Sequence, residues 1–192
     1  MSKLLPPYSR FPEPAKLEEA AKQLTAKAAD AGVRAALVGG YALQHYGSGR
    51  LTEDVDFAAT GEIEARKIRR LSFGGWVIKA PNKIESDWIV RADAYEKLYE
   101  EAIKTARKTS GGYLIARPEY LAATKMVAGR DKDYDDLLWL LQQDDLVNRN
   151  KAREIVGRLL GAYAADDFDR AAEEADWRKS RGHGPFEGTR GK

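Results

Sequence analysis

The hydrophobic and polar residues of the chain are spaced with two different periodicities. Apolar residues that recur every three or four positions predict helices, and short apolar or alternating runs predict strands. The helices predicted before Pro118 cover 12–32, 41–47, 62–71 and 92–109. The strands predicted there cover 33–38, 54–59, 75–80, 83–90 and 113–116. After Pro118 the pattern is almost uninterrupted helix, over 118–128, 131–144, 148–162 and 164–178. The pattern therefore predicts an α+β fold, with a mixed sheet and flanking helices followed by a C-terminal helical subdomain.

The change of pattern near residue 117 predicts three segments. Residues 1–117 form the mixed α/β core, 118–177 the helical subdomain, and 178–192 a disordered basic tail. The tail carries five Lys or Arg against one Glu, a charge of +4 in a chain whose total is +2, so residues 1–177 carry −2. The body is mildly acidic, which is not typical of a dedicated RNA-binding domain.

The composition limits the chemistry that the chain can perform. It has no cysteine and only two histidines, which excludes thiolate sites and argues against a zinc site built from histidines. A metal would be a hard cation held by oxygen ligands. No apolar run is long enough to cross a membrane and no signal-peptide core is visible, so we expect a cytoplasmic protein without a membrane partner.

The stretch AALVGGYALQHYGSGRLTEDVDFAA, residues 35–59, concentrates the candidate chemistry. Gly39 and Gly40 end a strand and open a helix, where backbone N–H groups without neighbouring β-carbons can approach a phosphate. Asp54 and Asp56 project to one face of the next strand, because strand side chains alternate. Such carboxylates repel each other unless a cation lies between them. Mg²⁺ suits that position, whereas an exposed edge strand or an Arg or Lys partner would also tolerate the pair.

This stretch resembles the nucleotidyltransferases of the DNA polymerase beta superfamily. It is most similar to the small prokaryotic branch with abortive-infection and toxin–antitoxin members. The matching positions are Gly39, Gly40, Ala42, Arg50, Thr52, Asp54 and Asp56. The resemblance implies that the glycines, Arg50 and Thr52 contact the nucleotide, while Asp54 and Asp56 bind Mg²⁺, or Mn²⁺ in its place, and act in catalysis.

Members of this family usually carry a third metal-binding, catalytic carboxylate on a later strand. The segment KIESDWIV offers Asp87, which lies on the face opposite Trp88, and Glu85 on the same face as a second choice. A solvent-facing charged strand would show the same pattern.

A second block, PEYLAATKMVAGRDKDYDDLLWLL at 118–141, resembles the same branch. The resemblance implies that Lys125 reaches the nucleotide phosphates, with Asp133 and Asp136 as supporting residues that hold Lys125, Arg130 or the loop. A charged helix face above a leucine core would look much the same.

The resemblance implies an enzyme that moves a nucleoside monophosphate from a nucleoside triphosphate to a hydroxyl of RNA, protein or a small molecule. It also implies a place in a toxin–antitoxin or phage-defence system, with a cognate toxin or antitoxin as partner. The alternative is an inactive module of the same fold that binds a nucleotide or a partner without turnover.

Overall fold

The computed structural model describes residues 11–182. Its fold is α+β, as the hydrophobic pattern predicts. The helices are α1 Pro14–Asp30, α2 Gly39–His45, α3 Glu96–Thr105, α4 Pro118–Ala128, α5 Asp131–Leu141, α6 Arg149–Leu160 and α7 Ala162–Ser180. The strands are β1 Ala35–Val38, β2 Asp56–Ala59, β3 Arg66–Arg70, β4 Gly75–Lys79, β5 Glu85–Ile89, β6 Arg107–Lys108 and β7 Leu114–Ile115.

The strands form one mixed sheet in the order β3-β4-β5-β2-β1-β7-β6. β1 pairs with β2 in antiparallel and with β7 in parallel orientation, and β2 pairs with β5 in parallel. β1 is buried along its whole length, as expected for a central strand covered on both faces. Phe57 of β2 and Trp88 of β5 face each other across the ladder and are almost completely buried, and they anchor the core beside β1.

The chain divides into two compact units. The first comprises the described residues up to Arg91 together with Lys108–Ile115, and it contains α1, α2 and most of the sheet. The second comprises Ala92–Arg107 and the described residues from Ala116 onward. The second unit is helical and includes α3, which the sequence pattern had placed with the α/β part.

Local sequence explains where the helices of the second unit begin and end. Pro118 lies in the first turn of α4, where its missing N–H is not needed. Gly129 ends this helix in a left-handed conformation with φ of +64°, and its N–H donates to the carbonyl of Lys125. The Asn148 side chain caps α6 by accepting a hydrogen bond from the N–H of Lys151.

Two predicted helices differ from the structure. The helix predicted over 62–71 is wrong, because the segment contains the exposed strand β3, which pairs with β4. Only Ile63 and Leu71 are buried there, so a helix would have had no continuous apolar face to bury. The helix predicted over 92–109 is shorter, and its last residues form the two-residue strand β6.

The first residues of the predicted tail belong to a helix. α7 continues to Ser180, and Arg178 forms ion pairs with Glu174 and Asp135, at 2.6 and 3.8 Å. The rest of the predicted tail, 183–192, lies outside the described residues. No helix among residues 11–182 is long and apolar enough to span a bilayer.

Candidate functional site

The glycine pair lies where β1 turns into α2, against the first residue of β2. Val38 at the end of β1 pairs with Asp56, which brings the Asp56 carboxylate beside Gly39. A β-carbon built on Gly39 would lie 2.2 Å from Oδ2 of Asp56, and the backbone there has φ of +69°. Both the backbone conformation and the contact therefore require glycine at this position.

The second glycine packs under the loop that follows α2. A β-carbon on Gly40 would lie 2.8 Å from Oγ1 of Thr52 and 2.9 Å from Nη1 of Arg50. The amide of Gln44 donates to the backbone carbonyl of Arg50 at 2.6 Å and so fixes the loop against α2. The guanidinium of Arg50 and the hydroxyl of Thr52 consequently lie directly over the glycine backbone.

The remaining carboxylates join this group through a short hydrogen bond and the parallel ladder. The Thr52 hydroxyl donates to Oδ1 of Asp54 at 2.7 Å, which orients that carboxylate. Phe57 pairs with Trp88, so Asp56 and Asp87 precede this pair side by side. The Asp87 N–H donates to Oδ1 of Asp56 at 3.2 Å.

β2 begins at Asp56, two residues later than the predicted strand, but burial follows the predicted alternation from Asp54 to Phe57 and on β5. Val55 and Phe57 are fully buried, whereas Asp54 and Asp56 are partly exposed. On β5, Ser86 and Trp88 are buried and Asp87 is partly exposed. Seven predicted residues thus lie in one group in the first unit, namely Gly39, Gly40, Arg50, Thr52, Asp54, Asp56 and Asp87. Across residues 11–182, no set of three or more His, Asp or Glu side chains is arranged to hold a metal by itself.

Glu85, the second choice for the third carboxylate, takes a different position. It lies at the start of β5, is exposed, and pairs with Lys79 on β4 at 3.6 Å. Asp87 is the acidic residue of this strand whose backbone N–H donates to the Asp56 carboxylate.

Lys125, Asp133 and Asp136 belong to the second unit, where they form a buried ion cluster. Nζ of Lys125 lies 3.0 Å from Oδ1 of Asp133 and 2.7 Å from Oδ2 of Asp136. The Lys125 side chain is 6% exposed and both aspartate side chains are 0% exposed. Arg130 also pairs with Asp133, at 2.5 Å. The aspartates therefore hold Lys125, as one of the alternatives from the sequence predicts.

The cations of this cluster lower the pKa of one of its carboxyl groups. Burial raises the pKa of the Asp133 carboxyl, but the hydrogen bond from Arg130 and the charge of Lys125 outweigh it. The pKa of Asp133 therefore lies below its ordinary value, and the carboxylate stays ionised near neutral pH.

Sequence reasoning missed a group of cations on the carboxylate face of the sheet. Arg69 pairs with Val77, and Val77 pairs with Asp87, so all three occupy one row across β3, β4 and β5. Arg66 pairs with Lys79 one row away on the same face. The basic run ARKIRR in a mildly acidic body was the available signal, but the helix predicted there hid its alignment with Asp87.

Comparison with known proteins adds little to this geometry. No protein-family model matches the chain, and no curated protein matches it. Among solved structures, the chain is similar to an antigenic nucleotidyltransferase-like protein from Paracoccidioides brasiliensis, with 14% identity and a TM-score of 0.46. The similarity covers 83% of this chain and 93% of that chain. It is too distant to carry an inference about residues or activity.

Proposed function

We propose that this chain is a metal-dependent nucleotidyltransferase that moves a nucleoside monophosphate from a nucleoside triphosphate to a hydroxyl acceptor. One observation carries the proposal. The Asp56 carboxylate packs against the β-carbon-free backbone of Gly39 and accepts the backbone N–H of Asp87, while Thr52, which lies over Gly40, donates to the Asp54 carboxylate. Packing alone gives no reason to place the carboxylates of Asp54 and Asp56 beside a glycine turn, because like charges repel.

The donor set fits a hard divalent cation. All three carboxylates offer oxygen ligands and are partly exposed, so solvent and substrate can reach them. Asp54 and Asp56 would hold Mg²⁺, with phosphates and water as the other ligands, and Asp87 would serve a second metal position. When bound, the cation stabilises negative charge on the phosphate oxygens.

The chain's own cations and amides supply the phosphate contacts. Arg50 and Thr52 lie over Gly40, where a guanidinium and a hydroxyl would donate to phosphate oxygens next to the backbone amides. We keep Lys125 as a proposed phosphate ligand, although two aspartates already hold its ammonium.

The reaction is an in-line displacement. The acceptor oxygen forms a bond to the α-phosphorus, and the bond from that phosphorus to the oxygen bridging to the β-phosphate breaks. Pyrophosphate leaves, and the hydroxyl proton passes to the Asp87 carboxylate. Asp87 thereby acts in the transfer step, whereas Asp54 and Asp56 act mainly in binding the triphosphate.

We also propose that the chain belongs to the small prokaryotic branch of these nucleotidyltransferases and acts with a cognate toxin or antitoxin as its partner. This proposal is supported by the motif in the stretch 35–59, whose matching positions run from Gly39 to Asp56. The acceptor is a hydroxyl of RNA, protein or a small molecule.

Calorimetry tests the binding half of the proposal. Titration of the full chain with each nucleoside triphosphate should give a binding isotherm with Mg²⁺ present and a weaker one with EDTA. Asp54→Asn with Asp56→Asn should remove the Mg²⁺-dependent part. The matched control, Asp30→Asn with Glu64→Gln, removes two exposed carboxylates of the same unit and should bind like the wild type. Wild-type binding by the Asp54, Asp56 variant would overturn the site.

A further inference from the structure

The edge strand β3 presents an unusual concentration of positive charge. Four of its five residues are Arg or Lys, and all five are exposed. It is the terminal strand of the sheet and pairs only with β4 in the described part of the chain. Charged residues on an edge strand, Lys above all, guard a sheet against aggregation, but that role does not depend on which face of the strand carries the charge.

The register divides these four cations between the two faces of the sheet. Paired residues point to the same side of a ladder. Lys67 pairs with Ile78 and Arg70 with Trp76, which places them on the face opposite Asp87. The register shift between Lys67 and Arg69 leaves Ile68 as the extra residue and brings Arg69 back to the face of Arg66.

The cations of the two faces have different surroundings. Nζ of Lys67 lies 2.6 Å from Glu62 and 4.8 Å from the centre of the Trp76 ring, and Arg70 lies 6.0 Å from the same ring. Among residues 11–182, by contrast, no carboxylate forms an ion pair with Arg66 or Arg69. The uncompensated positive charge is therefore on the face that carries the candidate site.

The distance from these arginines to the carboxylates matches an extended polyanion. Arg69 and Asp87 are separated by two strand spacings, about 10 Å. That span is comparable with one or two nucleotides along a strand. A chain with one end at Asp87 would therefore pass its neighbouring phosphates over β4 toward Arg69 and Arg66.

We propose that Arg66 and Arg69 bind the sugar-phosphate backbone of a nucleic-acid acceptor whose terminal hydroxyl receives the nucleotide at Asp87. This inference rests on the proposed function and names the acceptor class. Lys79 lies in the row of Arg66 but is paired with Glu85, so it contributes less. Two arginines in neighbouring rows, on one side of the carboxylates, fit a polyphosphate better than a small molecule or a folded protein surface.

Binding of a labelled oligonucleotide tests the surface directly. The probe is a fluorescein-labelled single-stranded RNA of about 16 nucleotides. Arg66→Gln with Arg69→Gln should raise its Kd about tenfold, since two exposed ion pairs are lost. The slope of log K against log salt should fall by about 1.4, because each phosphate contact on a single strand contributes about 0.7. Arg66→Lys with Arg69→Lys should restore most of the affinity.

The strand itself provides the matched control. Lys67→Gln with Arg70→Gln removes the same charge from the same strand but from the opposite face. It should keep nearly wild-type RNA affinity and salt slope. Equal weakening by both variants would overturn the proposal, because only overall charge would then matter. The proposal would also be overturned if the wild-type protein did not bind RNA but bound poly-glutamate through Arg66 and Arg69. That result would point to a protein acceptor.

Two variants separate this inference from the proposed function. Asp54→Asn with Asp56→Asn should lose triphosphate binding and keep RNA binding, whereas Arg66→Gln with Arg69→Gln should do the reverse. If RNA binds through the arginines but is never labelled, the surface stands and nucleotide transfer to it is wrong. If the wild type transfers nucleotide and the Arg66→Gln, Arg69→Gln variant binds RNA like the wild type, the proposed surface is wrong and the proposed transferase activity stands.

Discussion

At the residue scale, the site depends on a glycine that leaves room for a carboxylate. Oδ2 of Asp56 occupies the space that a β-carbon on Gly39 would take. The sequence shows two glycines and two aspartates, but it does not show that one of each touches the other. That contact follows from the pairing of Val38 with Asp56.

Gly39→Ala should therefore damage both stability and binding. The left-handed backbone costs an alanine about 1–2 kcal/mol, and the new methyl group must also displace the Asp56 carboxylate. Gly32→Ala is the control, because Gly32 has φ of +64° but no atom within 4 Å of its built β-carbon. We expect similar backbone strain in both variants in thermal unfolding, and loss of Mg²⁺-dependent nucleotide binding in Gly39→Ala alone. Equal nucleotide binding by both would show that Gly39 serves only the backbone.

Asp87→Asn should separate the transfer step from binding. Asp87 is proposed to take the proton of the acceptor, so the variant should lose most transfer activity yet bind triphosphate nearly as well as the wild type. Glu85→Gln, two residues earlier on the same face, should change neither. Full transfer by Asp87→Asn together with loss in Glu85→Gln would move the role to Glu85.

The positions of these side chains were predictable where strand alternation decides them. Alternation alone places Asp54 and Asp56 opposite Val55, and Asp87 opposite Trp88, and the burial of Val55 and Trp88 agrees. The contacts between strands were not predictable, since they depend on sheet order and register.

At the element scale, the cation of α4 and the carboxylates of α5 join the two helices. Lys125→Met would leave Asp133 and Asp136 buried without the ammonium that lies between them. Removing one partner of a buried ion pair costs about 3–5 kcal/mol, and Arg130 keeps the loss near the lower end by remaining on Asp133. Chemical denaturation should show a loss of about 3 kcal/mol.

Lys132→Met provides the comparison for this loss. Lys132 is an exposed lysine of α5, and its replacement should change the free energy of unfolding by less than about 0.5 kcal/mol. A wild-type stability for Lys125→Met, combined with weaker triphosphate binding, would favour the phosphate role over the structural one.

The same cluster gives the second unit a dependence on acid. The folded-state pKa of Asp133 lies below its ordinary value of 3.8, so its contribution to stability is complete above that pH and is lost as the pH falls below it. The difference in free energy of unfolding between the wild type and Asp133→Asn should therefore shrink below pH 3.8, as urea titrations at several pH values would show. A difference that is constant through this range would contradict the assignment.

Strand β3 shows where sequence reasoning failed at this scale. Its residues have good helix propensity and no clear alternation, but pairing with β4 overrides that local preference. The error concealed a functional feature, because a strand places Arg69 in the row of Asp87 and Arg66 in the next row on the same face, and a helix would not.

At the scale of the whole molecule, the charge sum concealed the distribution of charge. Residues 1–177 carry a net −2, which by itself gives no sign of a nucleic-acid surface. The folded sheet nevertheless gathers cations at its β3 edge and carboxylates near β2 and β5. Fold class was predictable from periodicity, whereas this separation of charge required the strand order.

The division into two units was visible only in part. The change of pattern at 117 lies close to the boundary at Ala116, but α3 joins the helical unit although it precedes that boundary. Nothing in its amphipathic pattern tells which core its apolar face will enter. Contacts with α4 decide that.

Label transfer from the α-phosphate is the most direct test of nucleotidyl transfer. The purified chain, with Mg²⁺, would be incubated with total small RNA, protein or metabolite extract and with triphosphates labelled at either the α- or the γ-phosphate. We expect label from the α-position to enter an acceptor and label from the γ-position to leave as pyrophosphate. The Asp54→Asn, Asp56→Asn variant should neither label an acceptor nor release pyrophosphate. Tight triphosphate binding by the wild type, with no α-label in any of the three extracts, would contradict transfer and favour a binding module.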